Sequence, residues 1–132
     1  MSPERWLLTL NMPESSFGKK QRLLTTKAFQ GVFDNTHFKV SHAAFLLLAR
    51  RNRLTHPRLG MIVAKKNIRF SVDRNRVKRV VRSSFRLNQQ NLSSLDIIFL
   101  VRKGMDKVLP KDQTNLVLGG LNQLQKKMQN VL

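Results

Sequence analysis

"VDRNRVKRVVRSSFR", residues 72–86, sets six arginines and lysines against a single acid, Asp73. On a helical wheel of 3.6 residues per turn, Val77, Val80, Val81, Ser84 and Phe85 gather on one side. Lys78, Arg79, Arg82, Asn75 and Arg86 take the opposite side, with Arg74 and Arg76 at the margins. The stretch therefore predicts a helix with one face made for a core and the other made of cations. Asp73 stands at its N-terminal end, where a negative side chain suits the helix dipole and can cap free N–H groups. The flanking sequence says what the apolar face packs on.

Upstream, "LGMIVAKK" (59–66) has the length and composition of an apolar strand. Downstream, "NLSSL" is a connector and "DIIFLVRK" (96–103) is another strand. Further back, "AAFLLLAR" (43–50) is a strong strand, "HFKVS" a short one, and "RNRLTHPR" a loop broken by Pro57. "TTKAFQGVF" predicts a first helix with Thr25 or Thr26 as N-cap, its Ala28, Phe29, Val32 and Phe33 falling at helical spacing. After the break "LPKDQ", with Asp112 as N-cap, Leu118, Leu121, Leu124, Met128 and Val131 recur as in a terminal helix. Gly119 and Gly120 interrupt it at about 1 kcal/mol each in helix propensity, a cost consistent with close packing there.

Residues 1–22, with Pro3, Pro13, Gly18 and "GKKQR", read as a basic, irregular, mobile entry segment. Residues 23–132 then form one α+β domain in the order α-β-β-β-α-β-α. No internal repeat or linker divides it.

The chain has 132 residues and a net charge of +18, with a pI near 11.8. Its 41% hydrophobic content is enough for a real core and excludes a simple disordered basic tail. Only seven acids face 25 lysines and arginines, so internal ion pairs cannot neutralise the excess. Charge of this size points to a polyanionic partner. A solvated helix face normally mixes signs, because opposite charges at i,i+4 relieve repulsion. Residues 65–86 do not: Lys65, Lys66 and Arg69 extend the run to nine bases and one acid.

A membrane-surface helix needs bulky apolar residues opposite its charges, whereas this apolar face is small and β-branched. The short "WLLTL" near the N-terminus is neither a secretory core nor a membrane span. We therefore expect a cytoplasmic protein with no membrane partner. A DNA major groove can accept a basic helix. Arginine forks with an asparagine among them suit phosphates and base edges in folded RNA.

Cysteine is absent, which excludes disulfides and thiolate metal sites. His37, His42 and His56 are scattered, and no paired-carboxylate, nucleophile-elbow, Gly-rich phosphate-loop or HExxH pattern occurs. We expect no catalytic or metal-binding residue on the protein. The candidate classes are an RNA-binding subunit of a ribozyme, a ribosomal or general structural RNA-binding protein, and a stand-alone nuclease. The nuclease would need clustered carboxylates, and the aspartates are dispersed.

"AKKNIRFSVDRNRVKRVVRSSFR" resembles the arginine-rich signature of the bacterial ribonuclease P protein subunit, centred on "RNR". "RLLTTKAFQGVF" resembles that family's opening helix, "HPRLGMIVAKKN" the strand into the signature, and "LDIIFLVRKG" the strand after it. "RNR" alone is a weak motif; the ordered set, over roughly residues 22–104, is specific.

The resemblance implies a left-handed crossover of the basic helix between parallel strands, where the general rule is right-handed. It implies a protein that does not itself catalyse: a catalytic RNA, with Mg2+ bound mainly by that RNA, removes the 5′ leader of precursor tRNA. Carried over, Arg74, Asn75, Arg76, Lys78, Arg79 and Arg82 contact the catalytic RNA, joined by Lys65, Lys66, Arg69 and Arg86 of the same basic run. One monomer per RNA is expected. Phe29 and Phe33 match the aromatic pair that lines the leader cleft, although an i,i+4 aromatic pair is as readily core. Where some members carry a strand tyrosine, this chain has Leu48. Phe45 is offered as its substitute, but it lies three positions away, and strand residues alternate faces.

Overall fold

Thr25 opens the first helix. Its Oγ1 accepts the Ala28 amide at 3.0 Å, and α1 runs Thr26–Asp34. The computed structural model describes residues 22, 25–92 and 94–130. Apart from Arg22, the entry segment expected over residues 1–22 lies outside the described residues, as does Val131 of the terminal helix.

Four strands follow: β1 (Phe38–Ser41), β2 (Phe45–Arg51), β3 (Arg58–Ile62) and β4 (Leu95–Val101). They form one sheet in the order β1-β2-β4-β3. β1 pairs antiparallel with β2, β2 antiparallel with β4, and β3 parallel with β4. The basic helix, α2 (Ser71–Asn88), crosses between the parallel neighbours β3 and β4. α3 (Pro110–Asn130) ends the described chain. This is the α+β order expected from the sequence.

Several boundaries differ from expectation by a residue or two, among them β2 and β4, and three differ in ways that bear on the basic run and the helix caps. β3 stops at Ile62, because the Ala64 carbonyl accepts the amides of both Asn67 and Ile68 and turns the chain. Lys65 and Lys66 therefore belong to a turn. α2 starts ahead of Asp73, with Phe70 as N-cap. Asp73 lies in the first turn and reaches Arg76 at 3.4 Å. α3 starts at Pro110, which has no amide hydrogen to lose at that position; Asp112 is in its first turn and does not cap it.

Strand alternation divides the sheet into two faces. On one, Val77, Val81 and Phe85 of α2 and Val117, Leu121 and Leu124 of α3 pack on Phe45, Leu47, Ala49, Ile97 and Phe99. On the other, Phe29 and Val32 of α1 pack on Leu48, Ile62 and Ile98. The layers are thus α1, sheet, and α2 with α3. Two glycines allow the closest approaches. A Cβ at Gly60 would lie 2.4 Å from the Phe29 ring, and one at Gly120 would lie 2.8 Å from the Phe45 ring. Gly119 faces open space, so the close packing expected of the glycine pair belongs to Gly120 alone.

Candidate nucleic-acid interface

Packing of Val77, Val81 and Phe85 on the sheet fixes which side of α2 meets water. Asn75, Arg79 and Arg86 are exposed along its outer side, and Arg74, Arg76, Lys78 and Arg82 are half-buried along its flanks. Arg74, Lys78 and Arg82 recur every four residues and so share one flank. Burial, reinforced by the charges of Arg74 and Arg82, holds the Lys78 amine below the ordinary lysine pKa. A site that penalises its own positive charge in this way is one that an anion relieves.

Arg74 has a second task. Its Nη1 donates to the carbonyls of Ile68 at 3.1 Å and Arg69 at 2.9 Å, locking the turn before α2 onto the helix. The same turn is tied to the end of β4 by Asn67 Nδ2, which donates to the Val101 carbonyl at 3.0 Å. Lys65, Lys66 and Arg69 are exposed on this braced turn. The family resemblance implies for Arg74 an RNA contact only. The structure leaves Nε and Nη2 of its guanidinium outside these two bonds and makes Nη1 a strut.

The α1 side of the sheet carries an apolar surface of a different kind. Phe29 is fully buried against Gly60, Leu48, Ile62 and Ile98, so it is a floor residue. Around it Ala28, Phe33, Leu46 and Leu100 are only partly covered. Leu46 and Leu100 are register partners, as are Leu48 and Ile98, and each pair shares a face. Lys39 and Ser41 of the edge strand, opposite Leu48 and Leu46, add exposed polar groups beside them. Arg50 anchors the helix through Nη1 to the Gly31 carbonyl at 3.0 Å.

Of the four aromatic and aliphatic residues that the resemblance suggests for one cleft, three share this side: Phe29, Phe33 and Leu48. Phe45 does not. It is fully buried on the opposite face, with His42 stacked on it at 4.8 Å and Phe99 at 5.3 Å. Its odd offset from Leu48 is the physical reason. Leu46 and Leu100 were missed, though the alternation of β2 and β4 marks them as neighbours of Leu48 and Ile98. Phe70, the aromatic of the basic run that does not fall on the core face of α2, was also passed over.

The buried carboxylate Asp96 is engaged by Arg58 and by Asn52 Nδ2 at 2.8 Å. Among the described residues no three His, Asp or Glu side chains come together as metal ligands. No helix among them is long and apolar enough to cross a membrane.

Comparison with known proteins places these features in a family. A family model described as Ribonuclease P matches residues 17–128. The ribonuclease P protein component of Pseudomonas putida (strain GB-1) is 47% identical over 97 residues, 74% of this chain and 72% of that protein. That of Ectopseudomonas mendocina (strain ymp) is 49% identical over 94 residues, covering 71% and 70%. The RNase P protein of Staphylococcus aureus superposes with a TM-score of 0.70 at 26% identity, over 82% of this chain and 94% of that one. The RNase P protein of Thermotoga maritima gives 0.64 at 28% identity, over 80% and 96%.

Proposed function

The chain belongs to the ribonuclease P protein family, and on that premise we propose that it grips the catalytic RNA through α2 while holding the 5′ leader of precursor tRNA on the α1 side. The observation that carries this reading is the separation of the two surfaces. The cations of α2 and the open apolar margin around Phe33 lie in layers on opposite sides of the sheet. One small chain can then touch two polyanions at once.

The mechanism is electrostatic and positional. Arg79, Arg86, Asn75, Lys78, Arg82, Arg76 and the free donors of Arg74 neutralise phosphates of the catalytic RNA and release its counterions. Lys65, Lys66 and Arg69 extend that contact along the braced turn. On the other side Phe33, Leu46 and Leu100 meet leader bases with Phe29 and Leu48 beneath them, and stacking on an aromatic ring tolerates any base. Hydrolysis is performed by the RNA, with Mg2+ held by its phosphates. One protein monomer serves one RNA, in the cytoplasm.

The test is cleavage of a precursor tRNA at low magnesium by a bacterial ribonuclease P RNA, with and without this protein. Cleavage only when both are present supports the proposal. Tight RNA binding with no effect on cleavage would favour a structural RNA-binding protein, and cleavage by protein alone would place the chemistry on the chain.

A further inference from the structure

Phe70 is 60% exposed, although it stands among Lys65, Lys66, Arg69 and Arg74 where water-facing charge is the rule. A large ring left in water has an unfavourable hydration that a partner removes. The Arg69 guanidinium lies 5.3 Å from the ring centroid, a cation–π contact that covers one face. The rest of the ring is open. Val72, 65% exposed, adds a small apolar border one helix position beyond Ser71.

The ring is also held in place. Arg74 bonds the two carbonyls just before it, and Asn67 ties the same turn to the end of β4. Phe70 itself is the N-cap of α2, with its carbonyl accepting the Arg74 amide at 3.0 Å. A surface aromatic on a braced turn loses little freedom on contact, which lowers the cost of ordering at an interface.

We propose that Phe70 is a stacking platform for one unpaired base of the catalytic RNA, sandwiched by Arg69 on its far side and framed by the phosphate-binding cations Lys65 and Lys66. This is a base contact on the α2 side, separate from the leader surface around Phe33. It rests on the reading of the chain as a ribonuclease P protein. An RNA partner is favoured over a protein because residues 65–76 carry Lys65, Lys66, Arg69, Arg74 and Arg76 against one acid, Asp73, which is already paired to Arg76. A planar base brings both a π-face and the phosphate that the neighbouring cations require.

The experiment titrates the full chain with ribonuclease P RNA alone, without tRNA, over a series of salt concentrations. Phe70→Ala and Phe70→Leu are each expected to weaken binding about tenfold while leaving the salt slope unchanged, because stacking releases no counterions. Phe70→Trp, in a chain whose single tryptophan Trp6 is replaced by Phe, is expected to retain affinity and to lose fluorescence on RNA binding. Phe70→Leu matters because it keeps apolar bulk and removes the π-face. Wild-type affinity in both Ala and Leu variants, with no quenching of the Trp variant, overturns the platform while leaving the proposed function intact. Loss in Ala with full retention in Leu also overturns it, replacing stacking with simple apolar contact. If the unsubstituted protein fails to bind the RNA, both proposals fall. Self-association of the free protein that Phe70→Ala abolishes would reassign the ring to a contact between copies of the chain.

Discussion

Arg58 and Asp96 meet across the parallel strand pair in a two-point bond, Nε to Oδ1 at 2.8 Å and Nη2 to Oδ2 at 2.6 Å. The carboxylate is 1% exposed and the guanidinium 29%. The hydrogen bonds to Asp96 outweigh burial and hold Arg58 above its ordinary pKa. Removing Arg58 leaves a buried charge with Asn52 as its remaining side-chain donor. Arg58→Ala is expected to cost about 3 kcal/mol, the low end for a broken buried pair because the arginine keeps contact with water. Urea unfolding measures it. A loss below about 1 kcal/mol would mean that water replaces the guanidinium at Asp96. The Arg58 contribution is present below its unfolded pKa and fades only as pH passes the raised folded value, so it is constant over the working range.

Phe29 and Phe33 occupy one stripe of α1 but differ in depth. Phe29→Ala should cost about 3–5 kcal/mol in stability. Phe33→Ala should cost about 1 kcal/mol or less and should weaken precursor tRNA binding to the holoenzyme about tenfold, leaving mature tRNA unaffected. Chemical denaturation and competitive binding separate the two effects. Equal stability losses would make Phe33 another core residue.

How far these distinctions were legible in the sequence follows from which forces act locally. The two faces of α2 were legible because core and charge alternate within one helical period. The strands were legible from apolar runs, and the opposite facing of Phe45 and Leu48 from parity. What could not be read is set by contacts across the chain. Gly60 is what seats Phe29 in the core, and no pattern in "TTKAFQGVF" reports a glycine on a strand further along. Arg74 looked like any other cation of the run, because its carbonyl partners sit on a turn that periodicity does not describe. The start of α3 was misplaced because Asp112 is a good capping residue, whereas Pro110 fits the first turn better.

Lys78 supplies a test by pH. Its pKa in the free protein is depressed below 10.5, first by burial and then by Arg74 and Arg82. Between the depressed folded value and 10.5 the unfolded chain binds more protons, so this group makes stability rise with pH across that window. A bound phosphate raises the pKa again, so RNA binding in the same window takes up protons. Calorimetry in two buffers of different ionisation enthalpy should detect the uptake, and Lys78→Met should abolish it. Lys78→Met should also leave free-protein stability equal or higher while reducing RNA affinity several-fold. Equal proton uptake in both chains would assign it to another group.

The exposed and the braced arginines of α2 should behave differently. Arg79→Ala is expected to lower the salt slope of catalytic-RNA binding by about 1, as for a single phosphate contact. Arg74→Ala should reduce the slope and also raise amide exchange in residues 65–70, since it removes the strut to Ile68 and Arg69. The double variant Arg74→Ala, Arg79→Ala should show both. An unchanged slope in the double variant means that RNA is held elsewhere.

The strand order has a consequence for how the protein is assembled. β4 lies between β2 and β3, yet it is the last strand along the chain. A growing chain therefore finishes its whole cationic helix before the strand that supports it has been made. Until β4 arrives, β3 lacks its partner in the sheet and α2 lacks much of its packing floor. The same positive charge is then present on an unfolded chain, where RNA can also attract it. Whatever part of RNA affinity the unfolded chain shares contributes nothing to the stability of the fold. The partner stabilises this protein only through contacts that depend on a completed sheet, such as the fixed spacing of cations on α2 and the surface beneath α1.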